Sequence, residues 1–126
     1  MLITNPKEFK KIAIIGATTN PNKFGNIVLK DLRKKGFEVY PVSPNYDEID
    51  GLKVYKNVDE LPKDVELLVF IVPPKIAIEE LKKAYQSGFR RFWFQPGAES
   101  PELIEYSKTL SDAQFSFINC IMVETR

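Results

Sequence analysis

The segment Gly16-Ala17-Thr18-Thr19-Asn20-Pro21-Asn22-Lys23-Phe24-Gly25 has the residue types of a phosphate cradle. Gly16 permits a tight turn, and the small residues Ala17, Thr18 and Thr19 let backbone N–H groups approach an anion. Thr18, Thr19 and Asn20 add hydrogen-bond donors, and Lys23 adds a full positive charge. The apolar stripe that begins at Phe24 starts a helix, whose N-terminus carries partial positive charge. A strand-to-helix turn with polar caps would use the same residues, so the sequence leaves both readings open. The pattern is not Gly-x-Gly-x-x-Gly, and it is not a P-loop because no Gly-Lys-Ser/Thr follows.

Three further loops could contribute. Val42-Ser43-Pro44-Asn45 lacks the acidic residue that a nicotinamide dinucleotide site uses for the ribose 2′-hydroxyl, and Asp47 and Glu48 come later. A neutral, polar strand end better tolerates a nucleotide with an extra phosphate on its ribose. Val72-Pro73-Pro74-Lys75 makes a rigid apolar wall suited to a flat base or an acyl-like arm, or simply a stiff turn. In Phe94-Gln95-Pro96-Gly97-Ala98-Glu99, Gln95 offers an amide, but a plain strand-to-helix connection fits equally.

Composition narrows the chemistry. Histidine is absent, which removes Ser-His-Asp and Cys-His catalysis, histidine metal ligation and the usual proton shuttle near neutral pH. Cys120, the single cysteine, cannot close an internal disulfide or build a Cys-rich zinc site, and reads as a small buried hydrophobe. No carboxylate pair suited to acid–base work stands in these loops. The expectation is therefore no catalytic residue and no metal site. Eighteen basic and seventeen acidic residues give a net charge of +1, which provides no general basic field for nucleic acid. The 126 residues are one domain's worth, 1–126. The apolar run Leu67–Val72 is too short to span a bilayer, which takes about 20 residues, and the N-terminus lacks a signal-peptide pattern.

The elements that must position these loops are legible in the hydrophobic pattern. Apolar runs at 11–15, 37–42, 67–72, 91–94 and 115–118 read as strands, and the first and third barely alternate, as strands buried on both faces do. Pro41 belongs near a strand end or on an edge. Helical stripes lie between them: Phe24, Ile27, Val28, Leu29 and Leu32, closed by Gly36; Ala77, Ile78, Leu81, Ala84 and Tyr85, closed by Gly88; and Leu103, Ile104, Ser107 and Leu110, with Ser100 as N-cap and Pro101 at N1. Glu79 and Lys83 have the spacing of an outer-face ion pair. The stretch 43–66 carries an Asp50-Gly51 turn and room for a short strand and a helical turn. Alternating strands and helices predict a doubly wound, mainly parallel α/β sheet of about five strands, with ligands at the carboxyl ends of the strands.

With these motifs in place, the chain resembles the small stand-alone CoA-binding proteins. These have a Rossmann-like fold similar to the CoA-binding domain of the succinyl-CoA synthetase alpha subunit. The resemblance rests on Gly16-Ala17-Thr18 with Asn20-Pro21 and Phe24-Gly25, Tyr40-Pro41-Val42-Ser43-Pro44-Asn45, Glu48-Ile49-Asp50-Gly51, Val72-Pro73-Pro74, Trp93–Glu99 and Cys120–Glu124, in that order. It implies a cytoplasmic protein that binds coenzyme A or an acyl-CoA non-covalently. It also implies that the diphosphate lies on Gly16, Ala17, Thr18, Thr19 and Asn20 at the start of the helix at Phe24 and Gly25, near Lys23. Adenosine would meet Val42, Ser43, Pro44 and Asn45, Val72, Pro73 and Pro74 would line the groove, and pantetheine would run toward Gln95. The chain departs from the family pattern at Val72, where many members carry arginine, and at Lys23, where arginine is frequent. Two rivals remain: a small NAD(P)-dependent oxidoreductase, and an interaction module with a vestigial nucleotide fold whose surface would include Phe92, Trp93 and Phe94. A homodimer is compatible with a domain of this size, but no residue marks an interface.

Overall fold

Apolar runs that scarcely alternate need cover on both faces, and they receive it. The computed structural model describes residues 1–126. Its elements are β1 (Lys11–Ile15), α1 (Phe24–Lys34), β2 (Glu38–Val42), β3 (Glu48–Ile49), β4 (Leu52–Lys53), β5 (Leu67–Phe70), α2 (Pro74–Gln86), β6 (Arg91–Phe94), α3 (Pro101–Ser107), β7 (Gln114–Ser116) and α4 (Ile121–Glu124), with 3-10 turns at Pro6–Glu8 and Val58–Glu60. Five strands form an all-parallel sheet in the order β2-β1-β5-β6-β7, and β3 and β4 form a separate antiparallel hairpin.

Side chains alternate across this sheet into two apolar layers. Ala13, Ile15, Leu68, Phe70, Phe92 and Phe94 pack with Ala77 and Leu81 of α2 and Leu103 of α3. Ile12, Ile14, Leu67, Val69 and Trp93 pack with Val28, Leu29 and Leu32 of α1 and Ile121 of α4. Phe92, Trp93 and Phe94 are at most 1% exposed, so they are core and not the surface that the interaction-module reading requires.

Pro41 is the penultimate residue of β2, and β2 is an edge strand of the sheet, so this proline sits where expected. Its carbonyl points away from β1 and accepts from Tyr55 N, so the missing N–H faces the outer edge of the strand. Ser100 caps α3 by accepting from Leu103 N at 3.1 Å, and Gly36 and Gly88 close α1 and α2 at φ +98° and +102°.

Several expectations shift. Phe24 and Ile27 belong to α1 but stay exposed, because Gly25 and Asn26 occupy its buried face. Lys83 approaches Glu80 instead of Glu79. The third strand stops at Phe70 and the last stops at Ser116. The short helix α4 was not signalled by the sequence, since four residues are too few for a helical period.

Candidate functional site

Strand order reverses between β1 and β5: β2 lies on one side of β1 and β5 on the other. The loops after β1 and β5 therefore part at their carboxyl ends and leave a crevice, as open parallel sheets do. A cavity of about 740 Å³ opens there. Its walls come from the β1–α1 loop, the end of β2 and the β5–α2 loop.

Two glycines allow these walls to meet. Gly16 turns with φ +100°, and a Cβ there would stand 2.1 Å from Ile71 O. A Cβ on Gly25 would stand 2.1 Å from Gly16 O. The loop, the β5 end and the first turn of α1 are thus in backbone contact, which no larger residue permits. Asn26, fully buried, holds the loop by donating from Nδ2 to Thr18 O at 2.8 Å.

The donors of the loop divide into two sets. Gly16 N and Ala17 N both donate to Val42 O, at 3.1 and 3.4 Å, so they serve the fold. Asn20 N donates to Thr18 Oγ1 and Asn22 N to Asn20 Oδ1. Helix α1 has Lys23 at its N-cap position with no side-chain cap; Asn26 N turns back to Lys23 O at 3.0 Å, and the N–H groups of Phe24 and Gly25 are left without an acceptor at the positive end of the helix dipole. The unengaged donors at the start of α1 therefore stand beside Lys23, whereas Ala17 N, one of the N–H groups expected to face an anion, is taken up by Val42 O.

Of the expected site residues, Gly16, Ala17, Thr18, Lys23, Phe24, Gly25, Val42, Ser43, Pro44, Asn45, Val72 and Pro73 line this cavity. Thr19 and Asn20 are exposed but do not line it. Pro74 is the first residue of α2 and faces a different depression with Lys75 and Ser100. Gln95 borders a smaller depression of about 230 Å³, which shares Ile71, Val72 and Pro73 with the main cavity. Its amide is largely committed: Oε1 accepts from Ile121 N at 2.7 Å and Trp93 Nε1 at 3.2 Å, while Nε2 lies 3.5 Å from Cys120 Sγ.

Besides the strand-end residues Ile15 and Ile71 and the loop residue Asn22, four lining residues escaped sequence reasoning: Tyr46, Lys56, Ile76 and Glu80. Ile76 and Glu80 carry a readable signal, since they are spaced i,i+4 from the start of α2. Lys56 carries none, because it arrives only through the pairing of Tyr55 beside Val42. Its Nζ donates to Tyr46 O at 2.7 Å and pairs with Asp47 at 2.8 Å, which holds the Asp47 carboxyl below its ordinary value of 3.8. Tyr46 Oη and Thr18 Oγ1 are 2.9 Å apart, and that bond, with a further one to Thr19, pulls the phenol below its ordinary 10.0. Lys23 and Lys56 make one side of the cavity cationic, and Glu80 places a carboxylate on the α2 side. No group of three or more Cys, Asp or Glu side chains gathers in the arrangement of a metal site. No helix is long and apolar enough to cross a membrane.

Comparison with known proteins bears on this geometry. A family described as "CoA binding domain" matches residues 10–126. The alpha subunit of ADP-forming acetate–CoA ligase II of Pyrococcus furiosus is 39% identical over 80 residues, which are 63% of this chain and 18% of the ligase subunit. The chain thus spans less than a fifth of the length of that curated relative. A conserved hypothetical protein of Pyrococcus furiosus superposes with TM-score 0.90 at 56% identity, covering 93% of this chain and all of that one. A hypothetical protein of Pyrococcus horikoshii gives TM-score 0.84 at 34% identity, covering 92% and 81%.

Proposed function

We propose that this chain, which belongs to the family of CoA binding domains, binds coenzyme A or an acyl-CoA non-covalently as one unit of 126 residues, without a catalytic centre of its own. The observation that carries the reading is the cavity at the β1/β5 switch point. The uncapped start of α1 and Lys23 stand on its rim, and its volume suits a nucleotide-sized ligand.

In this reading the diphosphate lies against the first turn of α1, where the helix dipole and the Lys23 ammonium oppose its charge. Thr18 adds a hydroxyl, although that group already meets Tyr46. Adenosine lies along Val42, Ser43, Pro44 and Asn45, opposite Ile76. Pantetheine passes Val72 and Pro73 toward the smaller depression at Gln95. Because Gln95 Oε1 is engaged and one Nε2 hydrogen meets Cys120 Sγ at 3.5 Å, only the second Nε2 hydrogen is left to donate to a pantetheine carbonyl. No transfer chemistry is assigned, since the ligase activity named for the relative belongs to a protein of which this chain matches 18%.

The test is a thermal-shift panel of the ligand-stripped protein with CoA, acetyl-CoA, dephospho-CoA, NAD, NADP and ATP. Ligand at 100 times its Kd adds about 2.7 kcal/mol, a shift of several degrees for a domain of this size. CoA and acetyl-CoA should raise Tm, and dephospho-CoA should raise it less. No shift with any CoA species overturns the reading, and a shift with NAD alone replaces it with a nicotinamide site.

A further inference from the structure

Glu80 is the one acidic residue on the wall of the main cavity. It stands one helical turn beyond Ile76 on α2, so both face the same space. Its Oε1 lies 3.8 Å from Lys83 Nζ, a loose contact, and its side chain is only 20% exposed. Its Oε2 is shielded from solvent and has no hydrogen-bond partner. A shielded carboxylate oxygen without a donor is costly, and each such group calls for an explanation. Phosphate recognition does not supply one, because a carboxylate repels phosphate, and the cations of this cavity lie elsewhere, at Lys23 and Lys56. What a carboxylate oxygen does bind is an N–H or O–H donor.

We propose that the Glu80 carboxylate, turned from its solvent-shielded position into the cavity, accepts a hydrogen bond from an N–H donor of the ligand, namely the 6-amino group of an adenine base, and that it makes the cavity selective for an aminopurine. The inference rests on the CoA reading above and adds a specificity residue to it. CoA also carries N–H donors on its pantetheine amides, but the layout of the two depressions favours the base. Glu80 and Ile76 line only the larger one, together with Val42 and Asn45, whereas Gln95 lines only the smaller one. Ile76 offers an apolar surface beside the carboxylate, as a flat base requires, and it is 48% exposed.

The experiment compares CoA with its 6-desamino analogue, in which hydrogen replaces the amino group, and with 4′-phosphopantetheine, by titration calorimetry. It uses the full chain and the variants E80A and E80Q, each checked for fold by circular dichroism. The unsubstituted chain should bind CoA about tenfold more tightly than the desamino analogue, which corresponds to about 1.4 kcal/mol. E80A should bring that ratio within about twofold and leave phosphopantetheine affinity unchanged. E80Q keeps an acceptor oxygen and should keep a clear preference. Equal affinity of the unsubstituted chain for the two ligands overturns the inference, as does a ratio that survives E80A. Weakened phosphopantetheine binding in E80A moves the donor to the amides and also overturns it. Each of these outcomes leaves CoA binding itself standing, whereas failure of the unsubstituted chain to bind CoA is failure of the underlying reading.

Discussion

Gly16 and Gly97 share a φ of +100° and differ in what surrounds them. A Cβ on Gly97 meets nothing within 4 Å, whereas one on Gly16 meets Ile71 O at 2.1 Å. Gly97→Ala should therefore cost only the left-handed backbone penalty, about 1–2 kcal/mol. Gly16→Ala adds a collision with backbone and should cost about 3–4 kcal/mol, in the range of mutations with a strained core contact. Urea unfolding of the two variants checks the difference, and equal losses would mean that the β1–α1 loop can move away from Ile71. A second residue-scale prediction concerns pH. Glu66 Oε1 accepts from Lys10 N at 2.9 Å and Lys11 N at 3.0 Å, and these bonds hold its carboxyl below the ordinary value of 4.5. A lowered folded value means that Glu66 contributes stability above the unfolded value and loses it as pH falls through the folded one. Glu66→Gln should be less stable than the unsubstituted chain at pH 7, and the gap should close in the acid range below 4.5. Denaturation midpoints measured across pH test this.

At the scale of elements, the backbone of α4 is hydrogen-bonded to the sheet by one side chain. With four residues it cannot hold itself as a helix, and Gln95 at the end of β6 supplies the acceptor for Ile121 N at 2.7 Å. Gln95→Leu keeps the bulk and removes that acceptor. Trp93 Nε1 retains Asn119 O at 2.9 Å, but Ile121 N is left buried without a partner. The expected loss is about 1–3 kcal/mol, with faster hydrogen exchange at Ile121 and at residues of α4. Unchanged exchange there would show that packing of Ile121 against α1 suffices. The same committed amide limits what Gln95 offers a ligand, so part of its conspicuous position in the sequence reflects structure.

For the whole molecule, the sheet belongs to both apolar layers at once, because alternate residues of β1, β5 and β6 enter opposite layers. Neither layer can come apart without exposing strands of the other, so unfolding should be a single cooperative event. Trp93, the only tryptophan, reports from the layer with α1. Phe70, fully buried and stacked on Phe94 at 4.5 Å between ring centroids, belongs to the layer with α2. Phe70→Ala should cost about 3–5 kcal/mol and move the tryptophan fluorescence and far-ultraviolet dichroism transitions by the same amount. Separated transitions would mean that the two layers are independent units.

Much of this protein is legible from residue order alone. The strands are apolar runs long enough to cross a sheet buried on both faces, and α1 to α3 have the 3.6-residue stripe and their glycine or serine ends, so local physics identifies them. The position of the cavity is legible too, because Gly16 and Gly25 bracket a polar loop between a strand and a helix. Tertiary structure alone decided the rest. Lys56 reaches the cavity because Tyr55 lies beside Val42, a pairing that no local pattern encodes. The exposure of Phe24 and Ile27 follows from the close approach of α1 to the loop, which puts Gly25 and Asn26 inward. The use of Gly16 N and Ala17 N by Val42 O, and the engagement of Gln95 by Ile121 N, are contacts between segments 26 residues apart or nearly so. Residue type states what a group can bond to, and only the folded chain determines which partner reaches it first.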